Sequence, residues 1–510
     1  MTANPLFWLN FRLAGAWRSL LTGVGLLSAA VLVFAGISYR MASPGAAAGV
    51  SGTWLGIITL AQSAFLLLAA PAAVRKAVLR DFQTGMIESH RLSPMSGLKV
   101  VLGYLTGAPV LVYVLYALGL VFGSFFVGHY TLSVGVPQAA GSWYFVQGCL
   151  VLLSFMICSI ILLVALSTSG KTNVVGLLII GLIFGGWTIV AVVPGLALMT
   201  GLMSVDLLFA MVSNPRAGGT LTGNPLVLPL AALTQLVFGT IFVLASARKV
   251  RYPERAMFSI PLVLTLLATW AATLVLGVAL LPAKSNISLG FEEVGAAAQV
   301  IGSAIAFMLV ALLAVVAAAV ELYHVDRAAA FDRTALRRAI PPLLMPLLLA
   351  AAMAGLTLLL ATMHRNVDAL PAGILTTLQD RPWRIALFCA ALLTFWTDLA
   401  LVYVAVAQGT SVFRRVLIAA LVLKVGPLLF DGGAIIAYEQ VDRDWTPADL
   451  GFSGGSPVGT YVLSALPAMN PWPGIIMQGV IAGLATWWAL SVRKRLFQGA
   501  ATTPVARPAV

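Results

Sequence analysis

The chain has 510 residues, of which 60% are hydrophobic and only 9% charged, with a formal net charge of +13. A soluble domain carries about 25% charged residues, so a surface built for water is excluded and lipid is the solvent that fits. Lipid admits only spanning structures that satisfy their own backbone hydrogen bonds, helices or closed barrels, and the long unbroken apolar runs here select helices. The basic residues are dispersed with no basic face, which sets nucleic acid aside as a partner.

In chain order, the N-terminal stretch carries Asn4, Pro5, Arg12 and Arg18, ahead of a first apolar run at residues 20–39. That run is too long for the hydrophobic region of a cleaved signal and is read as a retained span. Further runs follow at 53–74, 100–127, 143–167, 174–200 and 225–247, then at 257–281, 297–320, 341–363, 385–407, 416–438 and 472–492. The expected fold is therefore all-α: a polytopic membrane protein of about twelve transmembrane helices.

Charge sets the direction. With the N-terminus inside, the inner segments hold twenty-two of the thirty Lys and Arg, the outer loops seven, and Lys424 alone lies within a span. Cytoplasmic loops carry such an excess, so both termini are expected on the cytoplasmic side. A polar stretch at 250–255 follows the sixth span and divides the chain into two six-span halves, 1–255 and 256–510. Their last spans open alike, with Asn224-Pro225 and Asn470-Pro471, and end alike, with Arg248-Lys249 and Arg493-Lys494. Pro suits the first helical turn and Asn before it suits a cap. An internal duplication accounts for the likeness, and two such halves suit a transporter.

Between the second and third spans, residues 75–99 are too charged to cross a membrane. Val74, Val78, Phe82 and Met86 recur every fourth residue, which predicts an amphipathic helix over 75–94 lying at the cytoplasmic surface. Arg75, Lys76, Arg80, Asp81 and Glu88 fall mostly off that face, and Ser93-Pro94 ends the helix.

Arg80-Asp81, Gly85 and Glu88, followed by Leu92-Ser93-Pro94-Met95-Ser96, resemble the cytoplasmic element after the second span of ABC-2 type permeases. These are membrane subunits of one class of ATP-driven exporters. Met86-Ile87 departs from the usual Thr-Leu. The N-terminal Asn4-Pro5 with Arg12 and Arg18 resembles the interfacial helix of the same family, and the likeness covers mainly residues 1–255. It implies an export subunit of the bacterial cytoplasmic membrane that binds no cofactor, with ATP hydrolysed by a separate ATPase subunit. That subunit would dock on Arg75, Arg80, Asp81, Gly85, Glu88 and Pro94. The implied partners are this ATPase subunit, the surrounding membrane lipid and, unless one chain supplies the whole pathway, a second permease chain. The matching place in the second half, residues 321–340, is basic but lacks the Gly-x-x-Glu and Ser-Pro features.

Apparent catalytic motifs lose their context. Gly170-Lys171-Thr172 has the tail of a phosphate loop, but an apolar run precedes it where a soluble α/β domain would place a strand. Gly451-Phe452-Ser453-Gly454-Gly455 resembles a serine-nucleophile elbow, yet the last histidine, His364, precedes it, whereas in the families with such a serine pattern the histidine follows the serine. The four histidines fall in four separate loops without metal spacing. The odd set of cysteines lies within apolar runs and reads as reduced packing residues. No catalytic set is complete, so no enzyme activity is expected of this chain.

Asp398, Lys424 and Asp431 lie within the tenth and eleventh spans. Charge inside a membrane is costly and is paired or functional. Asp398 and Lys424 stand equally far from the centre of the hairpin near residue 411, so an interior ion pair between them is expected. The alternative function is an ion-gradient-driven secondary transporter that uses these three charges as coupling groups.

Overall fold

The computed structural model describes residues 5–13, 16–43, 46–135, 138–168, 193–200, 226–280, 296–329, 338–363, 381–409, 455–456, 460 and 470–502. All regular structure among the described residues is helical. Ten helices among the described residues are long and apolar enough to cross a membrane. They correspond to ten of the twelve runs read from sequence. The run at 416–438 lies outside the described residues, as does that at 174–200 apart from its end.

Contacts divide the chain into two compact units, Met1–Val190 with Gly195–Met257 and Phe258–Val510 with Ala191–Pro194. Unit 1 contains α1 (Pro5–Leu13), α2 (Ala16–Met41), α3 (Ala47–Ala64), a π-helical turn (Phe65–Ala69), α4 (Ala70–Gln83), α5 (Met86–Leu92), α6 (Gly97–Gly107), α7 (Val110–Val134), α8 (Gln138–Ser167), most of α9 (Pro194–Thr200) and α10 (Val227–Arg251). Unit 2 contains α11 (Ile260–Leu280), α12 (Ala296–Ala329), α13 (Ile340–Met363), α14 (Arg381–Gln408) and α15 (Trp472–Thr502).

Helix α2 is apolar all round, and Leu21, Leu26, Leu32 and Phe34 are each at least 60% exposed. Such a face is prohibitive in water and natural against lipid. From Ala47 to Gln83 the chain forms one continuous helix of 37 residues. At 1.5 Å per residue that is about 55 Å, well over the about 30 Å of hydrocarbon in a bilayer. Inside it, the π turn at Phe65–Ala69 disturbs the regular ladder, and Ser154 Oγ from α8 donates to the Leu66 carbonyl at 2.7 Å.

Two expectations are corrected here. The single amphipathic helix over 75–94 is two helices. α4 continues without a break from the second span to Gln83, and α5 is a separate short turn beginning at Met86. Gly85 separates them with φ +70°, a left-handed conformation that costs a side-chain-bearing residue and that glycine adopts freely. The third span, read as 100–127, is instead α6 followed by α7 and runs to Val134. Pro109 lacks the N–H that would continue the ladder to Leu105. The Leu105 carbonyl receives the Tyr113 hydroxyl instead, at 3.1 Å.

In unit 1, α8 packs on α10 and α4, α3 on α7, and α6 on both α1 and α10. A Cβ at Gly97 would strike the Ala247 carbonyl, so glycine permits the close approach of α6 to α10. In unit 2, α12 packs on α11, α13 and α14, and α14 packs on α15. The buried face of α12 is rich in small residues, including Ala304, Ala311, Ala314 and Ala318. Small residues let backbones approach closely, which is how helices associate in lipid without a hydrophobic drive between them. At the start of α15, the Trp472 backbone N–H donates to Asn470 Oδ1 at 3.1 Å, the Asn-Pro cap expected of this span.

Candidate functional site

Val74 and Val78 are fully buried in α4, and Asp81, one helical period further on, is fully buried too. The sequence reading placed Asp81 with the polar face. Its spacing of seven from Val74 puts it on the apolar one. A buried carboxylate must be paired and hydrogen-bonded, and Asp81 is. Tyr104 of α6 donates its hydroxyl to Asp81 Oδ2 at 2.6 Å, and His90 Nε2 of α5 stands 3.4 Å from the same oxygen. Arg80 Nε and Nη2 reach Oδ1 at 3.3 and 3.4 Å. Arg80 Nη2 also donates to Asn10 Oδ1 of α1 at 2.8 Å. The four helices α1, α4, α5 and α6 thus meet around one acidic group.

The surrounding apolar cluster is formed by Leu6, Val74, Val78, Ile87, Val100, Val101 and Tyr104, with Leu162 and Val243 behind. Ile87 and His90 turn the inner face of α5 into this cluster. The outer face stands free: Gly85, Glu88, Ser89 and Pro94 are exposed, and Leu92 is 87% exposed. Glu88 pairs with Arg91 along the helix. The turn is held at both ends, since Thr84 Oγ1 donates to the Arg80 carbonyl at 3.0 Å and Ser93 Oγ to the His90 carbonyl at 2.9 Å. Ser96 then caps α6 by accepting from Lys99 N at 3.3 Å. The result is a small rigid knob with an apolar tip.

The six residues expected to form a docking surface therefore divide. Gly85, Glu88 and Pro94 are exposed, Arg75 and Arg80 are half-buried, and Asp81 is buried. Asp81 builds the knob and is out of reach of a partner.

A second buried aspartate was not singled out from the sequence. Asp326, near the end of α12, is 2% exposed. It accepts from Arg493 Nη2 of α15 at 2.7 Å and from the Tyr403 hydroxyl of α14 at 2.8 Å. Its signal was present: Val315, Ala319, Leu322 and Asp326 recur at helical spacing, and the first two are fully buried.

Asp398 is 3% exposed in α14 and so faces the interior of unit 2. Lys424 and Asp431, and with them the expected Asp398–Lys424 pair, lie outside the described residues, as do Ser453 and Lys171. The histidines are in helices rather than loops: His90 in α5, His129 in α7 and His324 in α12, with His364 outside the described residues. His129 Nδ1 lies 2.8 Å from Ser51 Oγ, which is also 2.7 Å from the Tyr39 hydroxyl. Ser51 is fully buried, so this is a polar tie between α2, α3 and α7, closed to any substrate. Cys149 and Cys158 are buried and Cys389 is partly so.

No protein-family model, no curated protein and no solved structure matches the chain.

Proposed function

We propose that this chain is the membrane-spanning subunit of an ATP-driven exporter of the ABC-2 type, working with a separate ATPase subunit that docks on the α4–α5 knob. One observation carries the reading. The continuous helix Ala47–Gln83 is longer than a bilayer core requires and ends in a knob that is packed at its base and exposed at its tip. A lever needs both properties. A push on Leu92, Glu88 and Pro94 passes through Ile87 and His90 to α4, whose other end lies in the membrane. The Arg80–Asn10 bond carries the same motion to α1. On this reading the protein has twelve spans in the bacterial cytoplasmic membrane, with both termini and the knob on the cytoplasmic side, and ATP is hydrolysed by the partner.

The test is affinity isolation of the full chain from its native membrane, followed by identification of bound subunits. An ATPase is expected to co-purify with the wild type and to be lost from Leu92→Asp and Glu88→Lys variants that keep normal size-exclusion profiles. A cysteine at position 92 labelled only from outside the cell, or transport that proceeds with no nucleotide hydrolysis, ends the proposal. The ion-gradient alternative draws on Asp398, buried within a span, and requires proton-coupled uptake by the purified chain alone.

A further inference from the structure

Beside the Asp326–Arg493 pair, unit 2 contains a cavity of about 100 Å³, lined by residues of α12, α13, α14 and α15. Its walls are largely hydrocarbon, from Leu322, Leu343, Leu399 and Leu490. The polar groups that reach it are engaged elsewhere. The Trp396 indole donates to Thr486 Oγ1 at 2.9 Å, Thr486 Oγ1 donates to the Ala482 carbonyl, and the Tyr403 hydroxyl is held by Asp326. Arg493 also lines the cavity: its Nη2 is held by Asp326, its Nε is shut in with no hydrogen-bond partner among the described residues, and the side chain as a whole is one-third exposed.

The cavity is partly open. Leu343 and Leu490 on its rim are 40% and 55% exposed, so a chain seated inside continues outward along the lipid-facing surface. The contact between Asp326 and Arg493 brings the ends of α12 and α15 together. Arg327, Lys494 and Arg495 follow directly in sequence and are exposed. Asp326 neutralises a single cation of this group, so this part of α12 and α15 carries a net positive charge.

An apolar cavity of about 150 Å³ binds a molecule as small as benzene, so this one holds only a short stretch of hydrocarbon. An apolar slot with a one-third-exposed guanidinium in its wall and exposed cations adjacent in sequence is complementary to an amphiphile with an anionic head. In a membrane protein, basic pockets between helix ends recognise phospholipid headgroups. We infer that this end of unit 2 is a binding site for an anionic phospholipid, with an acyl segment between Leu322, Leu343, Leu399 and Leu490 and the phosphate against Arg493 and its basic neighbours. The site lies wholly within unit 2 and does not depend on an ATPase partner.

Native mass spectrometry of the full chain, isolated with any accompanying subunits and exchanged into lipids of defined composition, tests this. Dioleoylphosphatidylglycerol is expected to remain bound where dioleoylphosphatidylcholine is lost, and glycerophosphate alone is not expected to bind. Lys494→Gln and Arg495→Gln are each expected to weaken retention about fivefold, the effect of one basic residue at a charged lipid surface. Leu490→Trp fills the slot without touching charge and is expected to abolish selective retention. Arg493→Gln is made together with Asp326→Asn, so that no buried charge is stranded, and is expected to do the same. Equal retention of the two lipids, unchanged retention in Leu490→Trp, or binding of glycerophosphate as tight as that of the whole lipid overturns the inference. The last result would identify a site for free anions instead.

Discussion

Each unit buries an aspartate near the end of its second long helix, Asp81 in α4 and Asp326 in α12, and each gives it a tyrosine and an arginine. The partners come from different distances along the chain. Those of Asp81 are 1, 9 and 23 residues away. Those of Asp326 are 77 and 167 residues away. The local cluster shapes one small surface element out of consecutive helices. The long-range cluster joins three helices that the chain visits at separate times. Similar chemistry at similar positions thus serves two ends, a formed surface in one unit and a closed bundle in the other.

The contrast is broken most directly at Asp326. Removing Arg493 strands the buried Asp326 carboxylate and costs about 3–5 kcal/mol, so Arg493→Ala is expected to lower the unfolding midpoint of the purified protein sharply. A double-mutant cycle between Asp326→Asn and Arg493→Gln is expected to show coupling of about 1–3 kcal/mol. The matching cycle for Asp81 and Arg80, whose contacts are 3.3 Å or longer, is expected to show less. Equal couplings would erase the distinction between the clusters. Tyr104→Phe removes the shortest bond to Asp81 and is expected to cost about 1.5–3 kcal/mol, the range for a bond to a charged group. Its signature is faster hydrogen exchange confined to α5 and its flanking turns, whereas Tyr403→Phe is expected to loosen α12 and α14 together. Gly85→Ala forces a side chain into the left-handed region at about 1–2 kcal/mol, read as a modest drop in thermal stability with α5 frayed. The smallest effect is expected of Leu92→Ser. An exposed change of this kind stays within about 0.5 kcal/mol, yet under the proposed function it is expected to reduce recovery of the proposed ATPase partner, which separates the surface of the knob from its scaffold.

Much of this was legible in the chain. The apolar runs announced the spanning helices because lipid leaves no other solution for such composition. Ser93-Pro94 marked the end of α5, and Asn470-Pro471 marked the cap of α15. Gly85 was noticed but read as part of a family pattern. Its conformation depends on the turn it closes, which hydrophobic periodicity does not carry. The helix break at Pro109 is signalled by the proline itself, against an apolar run that continues across it. The aspartate clusters were harder to find. A carboxylate at helical spacing from valines is visible in sequence, but Tyr403 and Arg493 meet Asp326 only through tertiary packing, and no local pattern ties positions 77 and 167 residues distant.

The π turn in the second span has a consequence for Asp81. A π turn closes i to i+5 rather than i to i+4, so it inserts one residue of phase, about 100° of rotation at 3.6 residues per turn. The inward-facing positions register that slip. Ser51, Leu55, Ile58, Gln62 and Leu66 keep one rhythm, and Ala70, Val74, Ala77 and Asp81 resume it one step late. Closing the stretch Phe65–Ala69 as regular α-helix at unchanged length would swing the carboxylate about 100° away from Tyr104 and bring a neighbouring side chain round in its place, whereas deleting one residue there would remove the extra residue and its bulge together and leave the carboxylate where it is.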